Sequence, residues 1–259
     1  MTNIYFDGGG FWAMSHYIGA IEQLHKEYNK PNSKLDRTIH YYGNSAGGTF
    51  AFICYLVLNG YIPIDDLDIQ LSRQFNKPKE MTHIVTQMYI DILDVLFTYV
   101  PSNIAELLSG VLYVGVSTKC GHTFVSEYTT TADITNVLLC SGTIAGFSNY
   151  ESKIKNETCL DGSYLFLPKH IPEDAIIISN DTPFPLCLTI PDTKTHRKLT
   201  KKGKSYVKRY FKYGEQMQIT NYDCSPLFME CAFYLHEHMN KCKDYKKHIC
   251  KLTNSEMTN

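Results

Sequence analysis

The chain lacks any apolar run long enough to cross a membrane. Its 259 residues contain only short apolar stretches, whereas a transmembrane helix needs about 20 consecutive apolar residues. The N-terminus also lacks the apolar core of a secretory signal peptide, because a strand-like run already begins at residue 4. We therefore expect an intracellular protein, cytoplasmic or peripheral to a membrane, with no signal peptide and no transmembrane segment.

An excess of either charge is missing as well. The 25 Lys and Arg residues are balanced by 26 Asp and Glu residues, which gives a formal net charge of −1. A nearly neutral molecule has no overall attraction to nucleic acid, so we expect no nucleic-acid partner. The basic run 196–204, followed by Lys208 and Arg209, is a local exception. We interpret it as a solvated loop and the start of a helix, with contact to anionic lipid head groups as the alternative.

Cysteine is present, but none of the nine cysteines forms the Cys-x2-Cys pair that is typical of structural zinc sites. An odd number of scattered cysteines, several in apolar runs, indicates reduced thiols inside an intracellular protein. A group near the C-terminus has residue types that could ligate zinc: Cys224, Cys231, His236, His238, Cys242, His248 and Cys250. Apolar residues at helical spacing over 227–242 favour a core helix instead, and we expect no metal or cofactor.

Repeats, low-complexity tracts and convincing linkers are also absent. The composition, 44% hydrophobic and 20% charged, is that of an ordinary globular protein. A chain of this length suits one α/β domain with a sizeable core. We predict a single domain over residues 1–252, followed by a polar C-terminal tail at 253–259.

The most informative motif that the sequence does contain is a turn formed by Gly43, Asn44, Ser45, Ala46 and Gly47. The β-prone run 39–42 precedes it and the apolar run 49–58 follows it, so the turn would join a strand to a buried helix. A serine hydroxyl is a weak nucleophile, which must be held out on a tight turn for a base to reach it. The glycine spacing is that of a nucleophile elbow, although an ordinary strand-to-helix turn would also fit.

A second motif is the glycine-rich turn Asp7-Gly8-Gly9-Gly10, which lies between the strand-like run 4–6 and a helical pattern. Backbone N–H groups in such a turn converge at the positive end of a helix, where they suit a phosphate or an oxyanion. The dinucleotide interpretation is weak because Ala13 stands where the fingerprint needs glycine. A phosphate-binding P-loop is excluded because no Gly-Lys-Ser/Thr follows.

A third motif, Asp161-Gly162-Ser163, follows the β-prone run 158–160. An aspartate at the end of a strand is placed to reach across the top of a sheet. On its own this motif indicates little, because Asp-Gly is a common turn.

Together and in this order, the three motifs resemble those of the patatin-like phospholipase family. The resemblance covers about residues 3–180. Residues 11–19 look like the corresponding helix of the animal adipose-lipase branch, and residues 139–147 look like the Ser-rich segment that precedes the dyad aspartate. It implies a three-layer α/β/α fold with a mostly parallel central sheet. It also implies a Ser-Asp dyad, with Ser45 as the nucleophile and Asp161 as the general base. By the same resemblance, the N–H groups of Gly8, Gly9 and Gly10 form the oxyanion hole.

We therefore expect a serine lipid acyl hydrolase that cleaves fatty-acyl esters of phospholipids or glycerolipids through an acyl-enzyme. Its partners would be the lipid substrate and a membrane or lipid-droplet surface. The sequence departs from the family at Trp12, where many members carry Arg or Lys, at Ala13, a usual Gly, and at Ser163, a usual Gly or Ala. The Pro that often precedes the aspartate in the family is also missing. The Trp12-Ala13 pair and the missing Pro motivate an alternative, a catalytically weak or inactive patatin-fold module that binds lipids or membranes.

Two further alternatives concern other parts of the chain. An α/β-hydrolase triad would need a histidine downstream of Asp161, and the candidates are His170, His196, His236, His238 and His248. A membrane-binding scaffold would use the amphipathic helix predicted over 84–100 together with the basic stretch 197–209. The same amphipathic helix could instead pack on the sheet, which we favour, or act as a lid over Ser45.

The remaining pattern predicts further elements of one sheet. Strands are expected at 112–118, 122–126 and 175–179. Helices are expected from 131 to 139, with Thr131 or Asp133 as the cap, and from 205 to 217.

Overall fold

The computed structural model describes residues 1–67, 84–145, 148, 150–180, 190–217 and 226–239. Its helices include α1 (Gly10–Tyr28), α2 (Ala46–Leu58), α3 (Ile84–Phe97), α4 (Ile104–Leu108), α5 (Thr131–Ser141), α6 (Thr193–Tyr213) and α7 (Pro226–Met239). Its strands include β1 (Thr2–Phe6), β2 (Ile39–Asn44), β3 (Leu112–Thr118), β4 (Gly121–Val125), β5 (Lys153–Ile154), β6 (Glu157–Thr158), β7 (Leu160–Asp161) and β8 (Ile176–Ile178). A 3-10 turn covers Pro168–His170.

The central sheet has the strand order β4-β3-β2-β1-β8. Strand β1 pairs in parallel with both β2 and β8, and β2 pairs in parallel with β3. Strand β4 is antiparallel to β3. The predicted α/β class is confirmed: helices flank a mixed, mostly parallel sheet, in an arrangement compatible with three α/β/α layers.

Alternation along β1 shows how the two faces of the sheet are covered. Ile4 and Phe6 lie in the main core with residues of α1 and α2, whereas Tyr5 belongs to a second apolar cluster. In that cluster the Tyr5 ring stacks on Phe166, with ring centroids 5.4 Å apart. Successive side chains of a strand point to opposite faces, so β1 is buried on both sides.

Helix α2 is the centre of the main core. All 13 of its residues are buried, as expected for a helix that is apolar on every side. It begins at Ala46, three residues before the predicted apolar run, so only Ser45 separates it from β2. The sharpness of this connection determines the geometry of the candidate site.

The amphipathic helix predicted over 84–100 is observed as α3. Its residues Ile92, Leu93 and Leu96 are buried in the main core. The Tyr89 ring lies so close to Gly142 that a Cβ there would come within 2.7 Å of a ring carbon. The helix therefore packs against the main core and the end of α5. Packing directly on the sheet, the favoured interpretation of the sequence, stays a prediction.

Helix α6 differs most from the sequence prediction. It begins at Thr193, twelve residues before the predicted start, and the basic run lies inside the helix rather than in a loop. Asp192 caps the helix by accepting a hydrogen bond of 2.7 Å from the Thr195 N–H. The face with the buried residues Leu199, Thr200, Gly203, Tyr206 and Val207 packs on α1. Tertiary packing of this face thus outweighs the polar composition of the segment.

Other predicted elements agree with the structure within one or two residues. The predicted helix at 131–139 is capped by Thr130 rather than by Thr131, and Asp133 completes the capping box as its third residue. Cys54, Cys120, Cys140, Cys159 and Cys231 are free thiols. The predicted tail at 253–259 lies outside the described residues. Within the described ranges, no helix combines the length and apolar character needed to span a bilayer.

Candidate active site

The turn between β2 and α2 holds Ser45 in a strained backbone conformation. Ser45 has φ 54° and ψ −130°, and positive φ is uncommon for a residue with a side chain. Strand β2 ends at Asn44 and α2 begins at Ala46, so this single residue makes the reversal. A strained serine between a strand and a helix is the arrangement that a nucleophile elbow requires.

The two glycines that flank the turn are required by close backbone contacts. A Cβ at Gly43 would overlap the carbonyl group of Gly47. A Cβ at Gly47 would overlap the carbonyl oxygens of Phe6 and Asp7 at the end of β1. The elbow therefore packs directly on the neighbouring strand, and the spacing seen in the sequence has a steric cause.

Sheet register brings Asp161 next to the elbow. Asn44, the last residue of β2, pairs with Gly115 of β3. The next residue of β3, Val116, pairs with Asp161 of β7. Because β4 occupies the other edge of β3, β7 continues along the edge where β2 stops. Residues that are 116 positions apart in the sequence thus meet at the carboxyl end of the parallel strands.

The Asp161 carboxylate is buried, with only 4% of the residue exposed. Burial raises its pKa to about 6, and the charge of Asp7 acts in the same direction. Hydrogen bonding from the Ser45 side chain and from the Ser163 N–H opposes this rise; the Ser163 nitrogen lies 2.8 Å from Oδ1. The structure therefore brings Ser45 and Asp161 together, and Asp161 is a stronger base than an ordinary carboxylate.

Ser163 lies at the base of the same site. Its hydroxyl oxygen is buried and forms no hydrogen bond of standard geometry within the described structure. It lies near enough to Asp161 to favour the ionised carboxylate weakly. A Cβ at Gly8 would overlap the Ser163 hydroxyl and would lie 3.6 Å from the Ser45 Cβ. The three sequence motifs therefore converge, and Gly162 allows close packing of its motif against Gly115.

Ser141 is a site residue that sequence reasoning missed. Its Oγ accepts a hydrogen bond of 2.8 Å from the Ser45 N–H and donates one of 2.6 Å to the Gly115 carbonyl. The hydroxyl therefore fixes the elbow to β3. The family resemblance extended to 139–147, the segment before the aspartate, and this was the only signal in the sequence. Because the Ser45 N–H is already paired, it is not available to an oxyanion.

The glycine-rich turn has two N–H groups without a hydrogen-bond partner among the described residues. The Gly8 N–H donates to Asp7 Oδ1 at 2.8 Å. It is therefore occupied, whereas the resemblance implies that it donates to an oxyanion. The N–H groups of Gly9 and Gly10 donate to no other residue in the part of the chain that the structure describes. Gly9 has φ 124° and Gly10 has φ 58°, which glycine adopts without strain. Both lie at the N-terminus of α1, where the helix dipole favours negative charge.

A buried chain of hydrogen bonds supports both turns. The ring nitrogen Nε2 of His122 lies 3.1 Å from Asn44 Oδ1, and Asn44 Nδ2 donates to the Tyr5 hydroxyl at 2.9 Å. The Tyr5 hydroxyl donates to Asp7 Oδ1 at 3.1 Å. Burial and the nearby His170 lower the pKa of His122 to about 3, so its ring is neutral. Since Asn44 Oδ1 can only accept, His122 carries its proton on Nε2 and donates it to Asn44.

The histidines proposed for a triad lie elsewhere. His170 stacks on His122 with ring centroids 4.9 Å apart, and His196, His236 and His238 contact Ser15, Ser152 and the Tyr234 carbonyl respectively. His248 lies outside the described residues. In the described part of the chain, no histidine is hydrogen-bonded to Ser45 or Asp161. None of the described histidines therefore completes a triad with Ser45 and Asp161.

No metal centre is formed by the residues that can be described. They contain no group of three or more His, Cys, Asp or Glu placed to hold an ion. Of the zinc candidates, Cys231, His236 and His238 lie on α7, whereas Cys224, Cys242, His248 and Cys250 lie outside the described ranges.

Access to the dyad is narrow, since only 7% of Ser45 is exposed. A cavity of about 580 Å³ lies nearby between β4, α5 and the β5–β6 hairpin. Its lining includes Val116, which pairs with Asp161 in the sheet, and Cys159, two residues before Asp161, but not Ser45. A large substrate would therefore need the entrance to widen.

Comparison of the chain with protein-family models gave no match, and comparison with curated proteins gave none either.

Proposed function

We propose that this protein is a serine acyl hydrolase of the patatin-like kind, which cleaves fatty-acyl ester bonds of phospholipids or glycerolipids. The observation that carries the proposal is the pairing of a strained elbow serine with a buried aspartate whose pKa is raised to about 6. A structural turn has no need of either the strain or the buried charge, and both make the fold less stable.

The reaction would begin with attack of Ser45 Oγ on the ester carbonyl while Asp161 takes the hydroxyl proton. The carbonyl oxygen becomes an oxyanion, for which the unoccupied N–H groups of Gly9 and Gly10 are the donors. Collapse of this intermediate breaks the bond to the alcohol, which leaves with the proton held by Asp161. An acyl-Ser45 ester remains.

The second half of the reaction repeats these roles with water. Asp161 takes a proton from water, whose oxygen attacks the acyl-Ser45 carbonyl. The same N–H groups stabilise the second oxyanion, and Ser45 leaves with the proton from Asp161. One ester and one water thus give one fatty acid and one alcohol, and both site residues return to their starting state.

The proposal is tested by covalent labelling and by turnover. Treatment with a fluorophosphonate should add one phosphonyl group to Ser45, seen by mass spectrometry of the intact protein and absent from Ser45→Ala. Asp161→Asn should lower both labelling and ester hydrolysis by at least about 100-fold, as expected for loss of a general base. Asp133→Asn changes an aspartate that is hydrogen-bonded to Thr129 and Thr130 at the start of α5 and not to Ser45 or Asp161. It is the matched control and should retain activity.

The second candidate function is lipid binding without catalysis. It is favoured by the small exposed fraction of Ser45. The two functions give opposite results in the labelling experiment. Folded protein that stays unlabelled in the presence of lipid vesicles, while it still binds them, would establish the module and reject the hydrolase.

A further inference from the structure

Helix α6 carries an unusual amount of positive charge. Its 21 residues include seven Lys and two Arg but neither Asp nor Glu. The whole chain has a formal net charge of −1, so this charge is concentrated on one element. Arg197, Lys198 and Lys201 are exposed and form no ion pair with any residue that the structure describes.

These cations form one stripe along the helix. At 100° per residue, one face carries six exposed basic side chains, which we name the basic stripe: Lys194, Arg197, Lys198, Lys201, Lys208 and Lys212. The opposite face holds Gly203 and Val207, which are buried against the body of the protein. The stripe therefore points away from the core along a helix about 30 Å long.

This arrangement makes the helix less stable. Lys194 and Lys198, and likewise Arg197 and Lys201, are like charges four residues apart, which destabilises a helix. Lys194 and Arg197 also lie near the N-terminus, where the helix dipole disfavours cations. Packing on α1 needs only the buried face, so the fold itself gives no reason for the stripe.

The N-terminal half of the stripe lies towards the candidate active site. His196 Nδ1 lies 2.9 Å from the Ser15 hydroxyl, and the Thr200 hydroxyl donates to the Ser15 carbonyl at 3.1 Å. Ser15 is five residues from Gly10, which is about 8 Å along α1. Gly10 belongs to the glycine-rich turn that follows β1, so α6 begins close to the end of the sheet where Ser45 lies.

We propose that the basic stripe binds the anionic head groups of a lipid bilayer and brings the entrance of the Ser45 site to that surface. The choice of a bilayer over another polyanion rests on the proposed function, because the substrate of that site is a lipid. Exposed Lys and Arg each add attraction to an anionic bilayer, and salt screens this attraction.

The test uses sedimentation with vesicles of phosphatidylcholine, with and without phosphatidylserine. All variants carry Ser45→Ala, so binding is measured without turnover. The triple variant Arg197→Glu, Lys198→Glu, Lys201→Glu should bind phosphatidylserine vesicles at least about 100-fold more weakly than its parent. The triple variant Lys153→Glu, Lys155→Glu, Lys169→Glu changes the net charge equally at exposed positions elsewhere and should bind like the parent.

Thermal unfolding shows whether the α6 variant is folded. Its Tm should equal or exceed that of the parent, because like charges are removed near the positive end of the helix. Equal vesicle binding by the two triple variants, or parental binding without preference for phosphatidylserine, would overturn the proposal. So would stripe-dependent binding of a single-stranded RNA oligonucleotide that exceeds binding of vesicles.

Failure of the proposed function gives a different result. If that function alone is wrong, wild-type protein stays unlabelled by the fluorophosphonate while stripe-dependent vesicle binding remains. If the inference about the stripe alone is wrong, labelling of Ser45 persists and the α6 variant binds vesicles as its parent does.

Discussion

Burial of Asp161 should make the reaction depend on pH. The base must be ionised, and burial raises its pKa to about 6. We expect kcat/KM for a soluble short-chain ester to rise tenfold per pH unit below about pH 6 and to level off above it. Ser163→Ala removes a hydroxyl that favours the carboxylate and should move the midpoint upward. A midpoint near the ordinary value of about 4 would contradict a buried base.

The same burial should reduce the stability of the fold. Because the pKa of Asp161 is raised in the folded state, ionisation opposes folding fully above about pH 6 and not at all below about pH 4. Asp161→Asn should therefore increase the free energy of unfolding by up to about 3 kcal/mol at neutral pH. Urea denaturation at neutral and acidic pH measures this, and the gain should vanish in acid.

Asp133 is the matched comparison for Asp161, because its pKa is shifted in the opposite direction. Hydrogen bonds from Thr129 and Thr130 lower its pKa to about 2. Its ionised form stabilises the fold above about pH 4 and ceases to do so as the pH falls through about 2. Asp133→Asn should lower the stability at neutral pH, and equal effects of the two substitutions would contradict the assigned environments.

Ser141 should prove important although it does not touch the substrate. Ser141→Ala leaves the buried N–H of Ser45 without an acceptor, which destabilises the protein by about 1–3 kcal/mol. It should also lower kcat more than it raises KM, because the elbow is no longer fixed to β3. Thr143→Val, which removes a hydroxyl bonded to Leu139 in the same segment, is the control. Similar kcat values for the two variants would reject the positioning role.

The site residues that the sequence predicted are those that belong to a motif of neighbouring residues. Ser45 stands between glycines whose spacing reflects contacts inside one turn, and Asp161 precedes a glycine. Ser141 has no such signal, because its partner Ser45 is 96 residues away. The His122–Asn44 contact likewise depends on the pairing of β3 with both β2 and β4. Contacts across strands could not be derived from spacing alone.

The packing of α6 on α1 should be sensitive to a single methyl group. A Cβ at Gly203 would overlap the His16 carbonyl, whereas a Cβ at Gly214 meets nothing within 4 Å. Gly203→Ala should therefore lower the free energy of unfolding by at least about 2 kcal/mol through overpacking. Gly214→Ala, in a left-handed cap, should cost about 1 kcal/mol from backbone strain alone. Chemical denaturation measures the free energy of unfolding of both variants. A larger loss for Gly214→Ala than for Gly203→Ala would contradict the close packing of α6 on α1.

Helices were predicted best where their faces are strongly apolar. The run 49–58 indicated α2 directly, because this helix is buried on all sides. The first half of α6 has few apolar residues, so the sequence predicts a solvated loop and the start of a helix there. In the structure it is fully helical and packs on α1. The cap of α5 is Thr130 rather than the predicted Thr131 or Asp133, because only Thr130 has an acidic residue three positions later to complete the capping box.

The whole molecule should unfold in one step. The main core extends from Ile4 in β1 to Val207 in α6 and includes residues of α2, α3 and α5. A continuous core of this kind predicts one cooperative transition, with equal calorimetric and van't Hoff enthalpies in differential scanning calorimetry. Two separated transitions would contradict the single domain predicted over 1–252.

For the whole molecule, the sequence predicted the class of fold but not the order of the strands in the sheet. Alternating strand and helix patterns indicate a parallel sheet. The position of β7 beside β3, and of β4 on the opposite edge, follows from long-range pairing. That pairing unites the dyad, and no local pattern specifies it.

The backbone of Ser45 has a consequence for how variants of this protein would compete. Glycine adopts positive φ freely, so Ser45→Gly should relieve strain of about 1–3 kcal/mol. In a library selected only for folded protein, without any substrate, Ser45→Gly should therefore be enriched. Enrichment of glycine at position 45 under selection for stability alone would indicate that serine is present there for its chemistry and not for the fold.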